Sequence, residues 1–313
     1  MPRTQQPGLR FRHIYRRLSA AELSAPEQDA PLSLDELGLE SREERVALAF
    51  GVYSRPGLEK AFRAYGLIQR LEERGVGPLE VRLDLEDAFR PRIILWSQKY
   101  QAAAGDIALR RTTGAEVGLP PPLDSRALLY MDSFLLQHPG RSFDWNRPPM
   151  PGQLRPGLAL SAEILELMLL MARRVGAEGM GLTPKNFAAA WVYDRHFHFV
   201  DGAAQGRFVA LRRAGRKWPR WLVAWAVELG CVRGPSGEPV PFVPSPMLAS
   251  FTPRFERFFD DKAWRGEVKA HSQTPLIIDF EALQARFPWN IMPPGSPPGP
   301  VAEVLAYDPL EPA

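Results

Sequence analysis

Cysteine is almost absent from this sequence. The 313 residues include a single cysteine, Cys231. One thiol cannot form an intrachain disulfide, and a cysteine-based zinc site needs several thiolates, so both arrangements are excluded. We expect Cys231 to lie in the core, because a free cysteine is more often a small buried apolar residue than a nucleophile.

Long apolar runs are also missing. The longest apolar tract covers residues 158–172, contains two glutamates and is too short to span a bilayer. No charged start followed by an apolar stretch and a small-residue cleavage site occurs, so no secretory signal is evident. We therefore expect a cytoplasmic protein without membrane contact. The net charge of +3 is too small to indicate nucleic-acid binding by itself.

Several catalytic signatures do not occur. The sequence contains neither the phosphate-loop pattern G-x-x-x-x-G-K-[ST] nor the nucleophile elbow G-x-S-x-G. His196 and His198 are two residues apart, so on a strand they would point the same way. Two imidazoles without a third ligand nearby do not make a metal site, and we expect structural roles for both.

The N-terminal region is rich in arginine. The first seventeen residues include five arginines and no acidic residue, a composition that could suit nucleic acid or an anionic membrane. Leu9, Phe11, His13 and Tyr15 alternate with polar residues, which favours a half-buried strand with a solvated arginine face. Nucleic-acid binding therefore rests on these arginines alone and is not expected.

In the first half of the chain, the spacing of apolar residues predicts helices up to Leu71 and strands from Leu79 onward. Residues 41–44 form a capping-box pattern that predicts a helix running through Phe50. Apolar residues at helical spacing predict another helix between Leu58 and Leu71. The period changes to two from Leu79, and the chain then predicts consecutive antiparallel strands over residues 79–85, 93–96, 106–110 and 127–136.

A loop–helix–strand–helix unit follows between Arg155 and Phe199. Ser161 can cap a helix that runs to Arg174, a short strand is predicted at residues 180–183, and a second helix begins near Asn186. The loop before the first helix contains Gly157. Its backbone N–H groups and the helix dipole could bind a phosphate, and the alternative is an ordinary strand-to-helix turn.

This unit resembles the GNAT family of acyl-CoA-dependent N-acyltransferases. In that family a loop of pattern [Q/R]-x-x-G-x-[G/A] holds the CoA pyrophosphate, and N-x-x-A-x-x-x-Y follows on the helix beside the pantetheine arm. Gly157 and Ala159 match the small positions of the loop. Asn186, Ala189 and Tyr193 match the second motif at full spacing.

The sequence departs from the family pattern at three points. Leu154 stands at the first position of the loop, and Pro156 lacks one N–H donor. Aromatic residues and histidine around residues 197–199 replace the usual Gly-Phe. A proline-rich insertion at residues 139–151 also lengthens the connection into the loop. These departures leave open a non-catalytic GNAT-like interaction or scaffold protein.

The resemblance implies a fold and a cofactor. The implied fold class is α/β (α+β), a mixed and largely antiparallel sheet flanked by helices, in which the strand at residues 127–136 runs parallel to that at 180–183. The implied cofactor is acetyl-CoA or another acyl-CoA, with its pyrophosphate on the N–H groups of residues 158–161. The implied cofactor-binding residues are Leu135, Leu136, Gly157, Leu158, Ala159, Leu160, Ser161 and Asn186.

The resemblance also implies a reaction. A small-molecule or peptide amine, deprotonated by a carboxylate or a water chain, attacks the thioester carbonyl. Tyr193 matches the position of the acid that protonates the departing thiolate, and packing on its own helix is the alternative role. Asp132 and Asp144 are candidates for the base, with a loop salt bridge as the alternative for Asp144.

The remaining chain is expected to surround this unit. Residues 1–213 form the predicted acyltransferase-like domain, which Arg207 to Leu211 would close as a strand. Residues 214–290 form a C-terminal helical or irregular extension. Residues 291–313 form a proline-rich tail that we expect to be disordered or extended.

Overall fold

A computed structural model of the chain describes residues 9–26 and 48–305. The capping-box pattern at residues 41–44 lies outside these ranges. Ala49 and Phe50, predicted to continue that helix, instead form a turn closed by a bridge between Ala49 and Tyr53, so this part of the prediction is wrong.

One mixed sheet of seven strands organises the described residues. Its order is β1-β2-β3-β4-β5-β8-β6, and a separate two-stranded ribbon pairs β7 with β9. The predicted α/β class, a mixed and largely antiparallel sheet flanked by helices, is confirmed. The strands are β1 (Leu79–Asp84), β2 (Arg92–Ser97), β3 (Ala102–Thr113), β4 (Ala127–Leu136), β5 (Gly179–Leu182), β6 (His198–Phe199), β7 (Val232–Arg233), β8 (Met247–Ser250) and β9 (Ile277–Ile278).

Helices cover the sheet. They are α1 (Leu9–Arg17), α2 (Ala20–Leu23), α3 (Arg55–Ala64), α4 (Leu67–Glu73), α5 (Ser161–Arg174), α6 (Phe187–Tyr193), α7 (Gly202–Ala214), α8 (Arg220–Glu228), α9 (Pro253–Asp260), α10 (Lys262–Ser272), α11 (Phe280–Arg286) and α12 (Pro300–Leu305). None of these helices has the length and apolar character needed to cross a membrane.

The pair β4 and β5 is the parallel pair of the sheet. Leu128 aligns with Gly179 and the register continues to Met131 opposite Leu182, as predicted for these two segments. α5 connects the two strands. Its residues Ile164, Leu165 and 167–172 are buried, so this helix lies deep in the main apolar core.

The N-terminal strand prediction is wrong, because residues 9–17 form α1. Phe11, Ile14, Tyr15 and Leu18 recur at helical spacing and pack against the core, with Phe11 buried. The Phe11 ring meets Tyr65 edge-on at 5.4 Å between centroids. Over so short a segment the same apolar residues fit both a strand of period two and one face of a helix.

The strand predicted at Arg207 to Leu211 is also wrong. These residues belong to α7. Asp201 caps the start of this helix, because its side chain accepts a hydrogen bond from the Ala203 N–H at 2.8 Å. β8 instead completes the sheet, pairing with both β5 and β6. The domain boundary near residue 213 remains a prediction, and β8 belongs to the segment after it.

Part of the proline-rich tail is ordered against the rest of the chain. Residues 300–305 form α12, with Val301 and Leu305 buried in the main core. The expectation of a disordered or extended tail is therefore wrong for these residues. Cys231 is buried, as expected.

Candidate functional site

A cleft opens where β4 continues beyond its parallel partner. Pairing between β4 and β5 ends at Met131 and Leu182, while β4 extends to Leu136. Ala108 of β3 pairs with Ser133 and Leu109 pairs with Met131, so Asp132 is an extra, bulged residue. A bulge bends its strand and increases the local twist, which accounts for the divergence at this point.

The cleft has a volume of about 460 Å³. This volume lies within the range of small-molecule sites. Five parts of the chain enclose it: Asp106 of β3, the end of β4, the segment 150–155, Ser161 at the start of α5, and the segment 182–193. It thus brings together Leu135, Leu136, Ser161, Asn186, Tyr193 and Asp132 from the sequence prediction.

The exposed edge of β4 supplies backbone donors. The N–H of Gln137 donates to the Ala104 carbonyl oxygen at 2.9 Å, toward β3. Since backbone groups alternate in direction along an antiparallel pair, the N–H groups of Leu135 and Ser133 also face β3. Those of Phe134 and Leu136 face away from β3, and both residues line the cleft.

The start of α5 presents further donors. Leu160 is the N-cap residue and makes no side-chain cap hydrogen bond, so the prediction that Ser161 caps this helix is wrong. The first N–H groups of a helix have no intrahelical acceptor, and the helix dipole gives that end a partial positive charge. Ser161, the first residue of the helix, lines the cleft.

The loop before α5 is held by its apolar side chains. Leu158 and Leu160 are buried, and the N–H of His138 donates to the Pro156 carbonyl oxygen at 2.8 Å. Gly157 forms a bridge with Gln137, which extends the β4 edge. With its leucines in the core, this loop can contact a ligand only through its backbone and Ala159, whose side chain is exposed.

Gly157 and Ala159, the two small residues of the loop, differ in whether the backbone conformation favours glycine. A Cβ added at Gly157 would have only ordinary contact, 3.8 Å from the Leu136 carbonyl oxygen. Ala159 has φ 54°, in the left-handed region that favours glycine. The backbone strain therefore lies at Ala159, next to the helix start.

Two cations flank the start of α5 in the cleft wall. Arg155 and Lys185 both line the cleft and are exposed. Within residues 9–26 and 48–305, neither side chain has an ion-pair partner. In the family pattern Arg155 stands one residue out of register with the first loop position, and Lys185, directly before Asn186, has no motif position.

Asn186 has a structural function in the cleft wall. Its Oδ1 accepts a hydrogen bond from the Ala189 N–H at 2.9 Å and so caps α6. Its Nδ2 donates to the Pro151 carbonyl oxygen at 3.0 Å, which ties the proline-rich insertion to this helix. The Asn-x-x-Ala spacing of the motif is therefore the spacing of an N-cap residue and its backbone donor.

Tyr193 lies at the base of the cleft with its ring packed between aromatic side chains. Its ring centroid is 6.3 Å from that of Phe134 and 6.2 Å from that of Phe197. Burial raises the pKa of the Tyr193 phenol above its ordinary value. Its hydroxyl makes no hydrogen bond with the described residues, so a ligand in the cleft could take that place.

The two candidate bases are engaged in structural contacts. Asp132 accepts a hydrogen bond from Arg110 Nε at 3.0 Å on one oxygen and forms an ion pair with Arg90, whose Nε lies 3.1 Å from the other oxygen. Both carboxylate oxygens of Asp132 are therefore engaged by arginine side chains. Asp144 accepts the N–H groups of Asn146 and Arg147 in a tight turn and does not line the cleft.

The histidine pair is separate from the cleft. Both ring nitrogens of His196 are enclosed and make no hydrogen bond, and burial, with a smaller contribution from Arg195, lowers its pKa to about 4. Burial also lowers the pKa of His198. No group of three or more potential metal-ligating side chains occurs in the described ranges.

The chain was also compared with known proteins. Neither the protein-family models nor the curated proteins include a match to this sequence.

Proposed function

We propose that the protein is an acyl-CoA-dependent N-acyltransferase that transfers an acetyl or other acyl group to an amine. The observation that carries this proposal is the divergence of β4 from β5 at the Asp132 bulge, beside the start of α5. This arrangement offers one ligand both a line of backbone donors and a positively charged end, which an extended molecule with a pyrophosphate needs.

The start of α5 would hold the pyrophosphate. Ser161, the first residue of α5, and the cations Arg155 and Lys185 line the cleft, and the N–H groups of residues 158–161 would bind the pyrophosphate there. Helix N-termini favour anions through both the unpaired donors and the dipole. Leu158 and Leu160 would contribute only backbone groups, since their side chains are buried.

The edge of β4 would hold the pantetheine arm and the thioester. An extended amide chain can hydrogen-bond to an exposed strand edge as an added strand does. The N–H of Phe134 or Leu136 would then donate to the thioester carbonyl oxygen and stabilise the negative charge that develops there during attack. Ala188 and Ala189, which line the opposite wall, leave space for this chain.

The reaction would proceed by direct attack. The amine nitrogen forms a bond with the carbonyl carbon, the carbon–sulfur bond breaks, and the thiolate takes a proton from the Tyr193 hydroxyl. The proton lost by the amine passes to water, because Asp132 is already paired with two arginines. Solvent then restores the phenol proton, so the protein ends each cycle unchanged.

A non-catalytic scaffold is the second candidate. The observation that favours it is that both carboxylates in the described wall of the cleft, Asp132 and Asp106, are paired with arginines. A scaffold could bind acyl-CoA or another ligand in the same cleft without turnover.

Calorimetry with acetyl-CoA tests cofactor binding. The double variant Arg155→Gln/Lys185→Gln should weaken binding about tenfold, since each exposed ion pair contributes up to about 1 kcal/mol. Arg216→Gln/Lys217→Gln is the matched control, because both residues are exposed and equally unpaired within the described chain. Absence of binding by the wild type at about 1 mM acetyl-CoA, where weak sites begin to fill, would refute the proposal.

Thiol release with a panel of amines then separates an enzyme from a scaffold.

A further inference from the structure

A second cavity lies at the other end of β4. It has a volume of about 670 Å³ and is enclosed by the loop at residues 121–126, by α9 and by the first turn of α10. That loop precedes the first residue of β4, whereas the candidate acyl-CoA cleft uses its last residues. The two cavities share no lining residue, so this one is a separate site.

The inner wall of this cavity is apolar and held in place. Phe255 and Leu123 are buried beneath it, within a small apolar cluster distinct from the main core. Trp264 donates from its indole N–H to the Val200 carbonyl oxygen at 3.0 Å. The ring centroids of Phe258 and Trp264 lie 5.3 and 5.2 Å from that of Phe259. These contacts preform an aromatic surface without a ligand.

The rim of the cavity is positively charged. Arg254 and Arg257 are three residues apart on α9 and therefore share one face of the helix. Both are exposed, and neither has an ion-pair partner among the residues that the structure describes. Arg126, also in the lining, pairs with Glu178 at 3.5 Å.

The lining also contains one acidic residue, Asp261, which forms no ion pair with Arg254 or Arg257. Asp261 caps α10, and its Oδ1 accepts the N–H groups of Ala263 at 2.8 Å and Trp264 at 3.4 Å. Asp260, its neighbour, pairs with Arg265. The cavity thus combines an apolar aromatic wall with two guanidinium groups that have no carboxylate of their own.

We propose that this cavity binds an amphipathic anion, a small molecule with an apolar chain or ring and a single carboxylate or phosphate head. The apolar body would lie on Phe255, Phe258 and Trp264, and the head would accept hydrogen bonds from Arg254 and Arg257. Guanidinium groups match carboxylate and phosphate in geometry. The volume suits a ligand of this size. The site is independent of the proposed acyltransferase activity.

Titration calorimetry on the intact chain with dodecanoate, dodecyl phosphate and dodecan-1-ol tests the charge requirement. One or both anions should bind, and whichever binds more tightly identifies the preferred head. The neutral alcohol should bind about tenfold more weakly, because it cannot pair with the arginines. Acetyl-CoA should not displace the bound anion. Equal affinity for the alcohol and the anions, or displacement by acetyl-CoA, would overturn the proposal.

Two variants locate the site. Arg254→Gln/Arg257→Gln should lower anion affinity about tenfold, while the control Arg216→Gln/Lys217→Gln, with the same change in charge, should leave it unaltered. Ala263→Phe keeps every charge and fills the cavity from its exposed rim, so it should weaken binding of the anions and the alcohol alike. Thermal unfolding establishes that each variant is folded. Wild-type affinity in either variant would show that the anion binds elsewhere.

Discussion

Met131 of β4 and Leu182 of β5 are the last residues paired across the parallel strands, and the bulged residue Asp132 follows immediately. Where two paired strands diverge at a bulge, the longer strand keeps unpaired backbone groups along its edge. Here the edge that continues carries Phe134 and Leu136, and α5 begins beside it. The proposed acyl-CoA site depends on this divergence.

Replacing Ala159 should separate strain from ligand binding. Ala159→Glu should abolish stabilisation by acetyl-CoA, because a carboxylate beside the start of α5 repels a pyrophosphate. Ala159→Gly should retain binding and raise the free energy of unfolding by up to about 1 kcal/mol, because glycine adopts the left-handed region without strain. Thermal shift with and without acetyl-CoA measures both effects. Ala270→Glu, exposed on α10, is the control for charge, and equal ligand shifts in Ala159→Glu and Ala270→Glu would argue against a pyrophosphate here.

Tyr193→Phe should lower turnover more than cofactor affinity. The ring and its contacts with Phe134 and Phe197 remain, while the proton for the departing thiolate is lost, which typically reduces turnover about a hundredfold. Burial raises the pKa of Tyr193, so wild-type turnover should show no loss from its ionisation between about pH 6 and 9. Steady-state thiol release measures kcat and KM together. Unchanged kcat in the variant would remove Tyr193 from the mechanism.

Asp132→Asn should affect stability rather than proton transfer. The substitution weakens the contacts with Arg90 and Arg110 and should lower the free energy of unfolding by about 1 kcal/mol. Turnover by the folded variant should stay within about threefold of wild type, well short of the loss of a general base. Denaturant unfolding and thiol release measure the two quantities. A hundredfold loss of turnover in a variant as stable as wild type would instead identify Asp132 as the base.

Stability should fall as the pH decreases from about 6.5 toward 4. Burial lowers the pKa of His196 to about 4, so the unfolded chain takes up a proton in this interval before the folded protein does. A state that binds more protons is favoured as the pH falls, and here that state is the unfolded one. His196→Phe should therefore lose less stability over the interval than wild type. Unfolding temperatures measured across it provide the test, and parallel curves for the two proteins would contradict the assignment. Burial also lowers the pKa of His198. The stability of the variant should therefore still fall with decreasing pH, but less steeply than that of wild type.

The sequence alone determined most of the local structure around the cleft. The apolar spacing from Leu160 to Met171 predicted α5, and the long alternating and apolar segments predicted β1 to β4. It also led to the parallel pairing of β4 and β5, because a right-handed crossover through α5 makes neighbouring strands parallel. Local patterns failed where two periods coincide over a short segment, as at residues 9–17, and where a strand-like run such as 207–211 gains more from helical packing.

Only the tertiary structure decided which of the predicted site residues share a cavity and which remain available for chemistry. The motif spacing selected Asn186 and Tyr193, but capping of α6 occupies Asn186, while burial leaves the Tyr193 phenol neutral in the cleft wall. Arg90 and Arg110, distant from Asp132 in sequence, lie on its two carboxylate oxygens. The second cavity, between residues 121–126 and α9, has no motif. The physical reason is common to all three: ion pairing, burial and cavity shape depend on contacts between segments far apart in the chain, which no local pattern records.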